Sequence, residues 1–276
     1  MSLKIKKLLI VIILSLKSYS YATSSCKDVF HSPQDTFKQL KILIQSLQQN
    51  DYYNFKKIQQ IQDLFFKLKN SEFDNNIIST FIKDLLKQDS LRIRAGVAGL
   101  RYFNSKELLE QVEIQNFLSH KDPDVIIGAL RTIVKLKLED SEKSEIITQL
   151  IKLLSHEDPY VIIETLRTTQ KFDLKDFMEL ILEFNRALMK FLSHKDPDVI
   201  IEALKTIQIF NLKDLPGLNT ALINLLYYQH VYVIVEALKT IESFNLKNLK
   251  RLNTALINIV YREDFNFIKI LFDKYY

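Results

Sequence analysis

One sixteen-residue pattern is written four times in this chain. It reads LSHKDPDVIIGALRTI from Leu118, LSHEDPYVIIETLRTT from Leu154, LSHKDPDVIIEALKTI from Leu192 and LYYQHVYVIVEALKTI from Leu226. The starts lie 36, 38 and 34 residues apart. A period of this size marks stacked helical pairs, because one pair cannot bury its apolar face alone and needs a neighbour on each side. Only 4 glycines and 5 prolines occur in 276 residues. So few breakers favour helices over a many-turned β architecture.

Each unit predicts two helices. The first carries apolar runs such as Ile146-Ile147, Leu150-Ile151 and Leu153-Leu154. The second follows an Asp-Pro corner at Asp122-Pro123, Asp158-Pro159 and Asp196-Pro197. Asp accepts hydrogen bonds from the free N–H groups of a first helical turn and so caps it. Pro at the first helical position lacks an N–H that would go unpaired there, and its φ is already helical. The fourth unit has Gln229-His230-Val231-Tyr232 instead and is expected to be less sharply capped. A further first helix follows, because LNTALINLLYY from Leu218 recurs as LNTALINIVYR from Leu252. The clear array therefore runs over 112–276, closed by Phe265–Tyr276, an apolar helix out of pattern.

Before the array, residues 34–111 read as an N-terminal helical cap with one or two degenerate repeats. Phe37, Leu40, Ile44 and Leu47 mark one helix; Ile58, Ile61, Phe65 and Leu68 a second; Ile78, Phe81, Ile82 and Leu85 a third. Spacings of three and four residues build an apolar stripe in each. Asp89–Phe103 resembles the second helix of a repeat.

A helix, Asp-Pro-x-Val, then a second helix with Ala-Leu, resembles HEAT repeats. The resemblance is carried by Asp122, Pro123, Val125, Ala129 and Leu130 and by their equivalents from Asp158 and Asp196. It covers residues 112–276 well and 34–111 weakly. It implies an all-α, right-handed α-solenoid of antiparallel helix pairs. Many HEAT repeats place Arg directly after the Val; here Ile126, Ile162, Ile200 and Ile234 stand there. The family's arginine ladder is therefore not expected at these positions.

Residues 1–22 are set aside as a secretory signal peptide. Lys4, Lys6 and Lys7 form a basic start, Leu8 to Leu16 an apolar run, and Ser20 and Ala22 the small residues of a cleavage site after Ala22. Nine apolar residues fall short of the roughly 20 that span a bilayer as a helix; an uncleaved anchor is the competing reading. Residues 23–33 are expected to be a flexible lead-in. The chain would be secreted or periplasmic, with no transmembrane anchor after cleavage. The formal charge of +5 includes four lysines of the leader, which leaves +1 for residues 23–276. That balance lacks the strong basic field of a nucleic-acid binder. Cys26 is the sole cysteine, so no intramolecular disulfide forms. Polar Thr23-Ser24-Ser25 before it is a poor lipoprotein signal, and a free thiol, or one pairing between chains, is expected.

Projecting the second helix at 100° per residue puts Val125, Ile126, Ala129, Leu130 and Ile133 on one side and Gly128, Arg131 and Lys135 on the other. Stacking the repeats aligns Arg131, Arg167, Lys205 and Lys239 into a basic column beside an acidic column of Glu164, Glu202 and Glu236. In HEAT-like stacks the second helices line the inner, concave wall, so the resemblance implies a charged groove for an extended peptide or protein segment. The competing account is ordinary solvated surface, with i,i+3 pairs worth only about 0.2–0.5 kcal/mol each.

His120, His156, His194 and His230 suggest one histidine per corner. Helices about 8–10 Å apart do not bring such side chains within the roughly 2 Å that a zinc ion demands of each ligand nitrogen. These histidines are expected instead to satisfy carbonyls at the end of the first helix. No phosphate loop, G-x-S-x-G, H-E-x-x-H or cysteine cluster occurs, and no cofactor is implied. The expectation is an exported, non-enzymatic scaffold for a protein partner. Two alternatives remain: a HEAT-like enzyme acting on nucleic acid or a cofactor, as some DNA glycosylases and bilin lyases of similar architecture do, and a cell-envelope protein whose ends self-associate.

Overall fold

A computed structural model describes residues 32–48, 54–103, 114–135, 140–173, 178, 180–246 and 251–261. The leader, Cys26, His31 and the Phe265–Tyr276 segment lie outside the described residues. Every regular element among the described residues is helical. In chain order these are α1 (Pro33–Gln45), α2 (Asn54–Lys69), α3 (Asn75–Leu85), α4 (Ser90–Leu100), a 3-10 segment (Ile114–Ser119), α5 (Pro123–Ile133) and α6 (Asp140–Leu153). There follow α7 (Pro159–Thr169), α8 (Ile181–Phe191), α9 (Pro197–Ile209), α10 (Leu218–Leu225), α11 (Val231–Ser243) and α12 (Leu252–Tyr261). No described helix is long and apolar enough to cross a membrane.

The helices sort into two layers. α2, α4, α5, α7, α9 and α11 pack in an unbroken row, each against the next. Each also packs against the element before it: α1 on α2, α3 on α4, the 3-10 segment on α5, α6 on α7, α8 on α9 and α10 on α11. The N-terminal region thus continues the two-layer arrangement, with α1–α2 and α3–α4 as its pairs. Before α5, by contrast, the described part of the expected first helix is a 3-10 segment. Inter-layer burial supplies the core. Val125, Ala129, Leu130 and Ile133 of α5 are buried, as are Val161, Ile162 and Leu166 of α7 and Val199, Ile200, Ala203, Leu204 and Ile207 of α9. Completely burying one such aliphatic side chain contributes about 1.5–3 kcal/mol, and it is the neighbouring pair that completes the burial. The buried apolar side chains fall into two groups that adjoin at α6 and α7, and Phe172 packs against both.

The Asp-Pro corners behave as their chemistry demands. Asp122 accepts from the Asp124 N–H at 3.0 Å, Asp158 from Tyr160 at 2.8 Å and Asp196 from Asp198 at 2.9 Å. Asp89 caps α4 in the same way, without a proline, by accepting from Leu91 and Arg92. Each such cap contributes about 1 kcal/mol. α9 and α11 stop at left-handed asparagines, Asn211 (φ 51°) and Asn245 (φ 54°). Beyond each, Leu212 and Leu246 donate back to the carbonyls of Ile207 and Ile241, the closure that a left-handed residue permits. α10 starts after Gly217, whose φ of 84° suits a residue without a Cβ.

Candidate functional site

The three corner histidines act as acceptors. Nδ1 of His120, His156 and His194 each receives the backbone N–H of the Asp two residues on, at 3.0 Å. The expected donation to first-helix carbonyls falls instead to the histidines' backbone N–H groups, which bond to Phe117, Leu153 and Phe191. The imidazoles thus hold the corner that presents each capping Asp. His230 is not their equivalent. It occupies the cap position of α11 and makes no side-chain capping bond, and its Nδ1 is buried without a partner. Tyr228 stands where the other units have histidine. Among the described residues no group of three or more potential ligands is placed to hold a metal.

The charged columns are not two parallel surface stripes. Glu164, Glu202 and Glu236 are buried, at 9%, 4% and 7% exposure. The basic side chains beside them stay partly in water, from 32% exposed at Lys239 to 52% at Arg167. Each carboxylate sits in the joint between its own helix and the preceding one. Arg131 of α5 reaches Glu164 of α7 at 2.9 Å, and Arg167 of α7 reaches Glu202 of α9 at 3.2 Å. The i,i+3 pairs are also present: Arg167–Glu164 at 3.7 Å, Lys205–Glu202 at 3.7 Å and Lys239–Glu236 at 3.1 Å.

The second oxygen of two carboxylates is met by glutamines absent from the sequence reading. Gln170 donates to Glu202 Oε1 at 3.0 Å and to Thr206 Oγ1 at 2.8 Å. Gln208 repeats this on Glu236 and Thr240, again at 3.0 and 2.8 Å. Thr206 and Thr240 in turn donate to the carbonyls of Glu202 and Glu236. A buried carboxylate is tolerable only when its lone pairs are met in this way. The visible signal is the threonine after each Arg or Lys in all four copies, Thr132, Thr168, Thr206 and Thr240, every one fully buried.

The joint between α4 and α5 is built differently. Gly128 holds the position of the glutamates, and a Cβ there would meet Val97 Cγ1 at 2.6 Å. The polar link moves to the corner: Arg94 of α4 grips Asp122 with two bonds, of 2.8 and 2.7 Å. Near the C-terminal ends of α4 and α5, Lys135 Nζ donates to the carbonyl of Arg101. Burial first, and the Arg101 guanidinium second, lower the Lys135 proton affinity below the ordinary lysine value.

No family profile matches the chain, and no curated protein matches it. Among solved structures, two engineered proteins of the Northeast Structural Genomics Consortium are similar. One is 18% identical and covers 75% of this chain and 98% of its own, with a TM-score of 0.50. The other is 17% identical and covers 75% and 97%, with a TM-score of 0.49. At such identity a likeness speaks to the fold alone.

Proposed function

We propose that the chain is an exported, right-handed HEAT-like α-solenoid that binds a protein or peptide along its row of second helices, without catalysing a reaction. One observation carries this reading. Arg131, Arg167, Lys205 and Lys239 are held in a line by carboxylates that are themselves buried. The cations are thereby ordered before any partner arrives, while part of each remains in water. Preorganisation of this kind lowers the entropy that binding costs. Glu164, Glu202 and Glu236 then serve as supports for the surface rather than as its contacts. The signal-like leader, with secretion or delivery to a periplasm, and the repeat architecture motivate the scaffold reading over the enzymatic and self-associating alternatives.

The test is a crosslinking pull-down with the full chain from native envelope and secreted fractions. Beside it runs a variant with Arg131, Arg167, Lys205 and Lys239 all changed to Gln, matched for helicity. Glutamine avoids setting a new carboxylate against a buried one. Loss of a captured partner in the variant is the expected result. A partner retained in full moves binding off this row; turnover of a substrate by the purified chain, or its retention in the cytosol, sinks the reading.

A further inference from the structure

The C-terminal ends of α2, α4 and α5 come together into a small patch of unlike character to the rest of the row. Phe66 of α2 is 55% exposed. Its ring meets Tyr102, just beyond α4, edge-on at 6.0 Å. Lys135, just beyond α5, sets its ammonium 5.6 Å from the Tyr102 ring centroid. Arg101 completes the group. It is half-buried, its Nε is enclosed without a hydrogen-bond acceptor, and no described carboxylate lies within ion-pairing reach of it or of Lys135. The contrast with Arg94, Arg131 and Arg167 is direct, because each of those has a carboxylate. Leaving a buried donor unmet is costly, and more so for a charged group. Burial first, and the nearby Arg101 cation second, lower the proton affinity of Lys135.

We propose that Arg101, Lys135, Tyr102 and Phe66 form the anchor for an acidic polypeptide segment. A partner Asp or Glu settles on the Arg101–Lys135 pair, and a neighbouring aromatic or large aliphatic side chain packs on Phe66 and Tyr102. This rests on the protein-binding reading and specifies its partner. Charge complementarity selects an acidic ligand, and an exposed Phe66 against a half-buried Tyr102, beside an arginine, is the composition that anchors interfaces. Two cations are too few to follow a nucleic-acid backbone, whose affinity comes from several phosphates at once. A membrane surface calls for a larger cluster of basic residues than these two.

The experiment is selection of a phage-displayed random dodecapeptide library on the full chain. The selected peptides are then titrated against Arg101→Glu, Arg101→Gln and Phe66→Ala, each checked for unchanged helicity and melting. The expected peptides carry an acidic residue within a few positions of an aromatic or large aliphatic one. Their affinity should fall about tenfold or more with either Arg101 change and several-fold with Phe66→Ala. Peptides without an acidic residue, or peptides bound equally well by Arg101→Gln, overturn the anchor. If those same peptides are lost when Arg167 becomes Gln, the binding reading survives while the anchor fails. No enrichment over an unrelated helical protein removes both. Arg101-dependent sedimentation with phosphatidylserine vesicles, without peptide enrichment, assigns the patch to a membrane instead. An Arg101→Gln variant that melts well below the parent while binding peptide normally gives Arg101 to a carboxylate of its own chain and overturns the proposal.

Discussion

The joint between α4 and α5 and the joint between α7 and α9 solve the same packing problem with opposite chemistry. In the first, Gly128 lets Val97 press against the helix backbone, and Arg94 links the pair at the corner through Asp122. In the second, Glu202 fills the equivalent place and draws Arg167 and Gln170 across from the preceding helix. Where the glutamate occurs, the position matching Arg94 in the preceding helix is apolar: Ile127 in α5, Ile163 in α7 and Ile201 in α9. In these joints the carboxylate that takes the preceding helix's arginine or glutamine thus sits either at the corner or at mid-helix. A carboxylate needs room and donors, whereas a glycine contact needs closeness, so one joint cannot hold both at the same position.

The largest effect should come from forcing the two solutions together. Gly128→Glu drives a side chain into Val97 and is expected to cost about 3 kcal/mol or more, from overpacking together with a charge whose donors are not arranged for it. Urea unfolding checks this, and Val97→Ala in the same chain should recover part of the loss. If Gly128→Glu is tolerated, the distinction between the joints is wrong. Next comes Glu202→Ala, expected at about 2 kcal/mol. That is below the usual cost of breaking a buried pair, because Arg167 is half-exposed and water relieves it. Glu202→Gln keeps an acceptor for Gln170 and should lose about half as much. Asp122→Ala should cost more than Asp196→Ala, about 2 against about 1 kcal/mol, since Asp122 loses both its cap and Arg94. Equal losses would deny the Arg94 link any weight. At the uncapped corner, His230→Asp with Val231→Pro should raise stability by about 1 kcal/mol, seen as a higher urea midpoint.

The smallest effect concerns protons. Because burial and Arg101 lower the folded-state value of Lys135 below its unfolded one, the folded chain holds that proton less tightly. This lysine therefore weakens the fold at neutral pH, and the weakening fades as pH rises from the lowered value towards 10.5. An NMR titration of lysine side chains should show Lys135 deprotonating below the ordinary lysine value.

The layers, the corners and the apolar faces could be read from the sequence because each is set by local spacing. Asp before Pro writes a cap, and Val125, Ala129 and Leu130 write a face, whatever surrounds them. Glu164, Glu202 and Glu236 are different. Helical projection turns them away from the face formed by Val125 and its equivalents, yet a stack has a further direction of burial, along the row, and that is where these carboxylates go. A single-helix projection carries no information about it. The histidines show a second limit. Their recurrence beside the caps was visible, but whether an imidazole nitrogen donates or accepts depends on where the Asp N–H points, and only the folded corner fixes that. His230 also shows how a letter can recur while its position does not: it falls two residues later than the others in its unit.

The mid-helix joint has a consequence for how such a chain changes length. The α7 and α9 units each carry both halves of the connection, a Gln that reaches forward, joined in α7 by Arg167, and a Glu that receives. Duplicating one whole unit would therefore create a new boundary already matched on both sides, and deleting one would leave the remaining boundary matched as well. The unit of α5 sends an arginine but receives on a glycine, so it accepts only the neighbour it has. Growth and loss by whole units are thus favoured for the α7 and α9 units and resisted before them, which makes the N-terminal pairs the fixed end of an array of adjustable length.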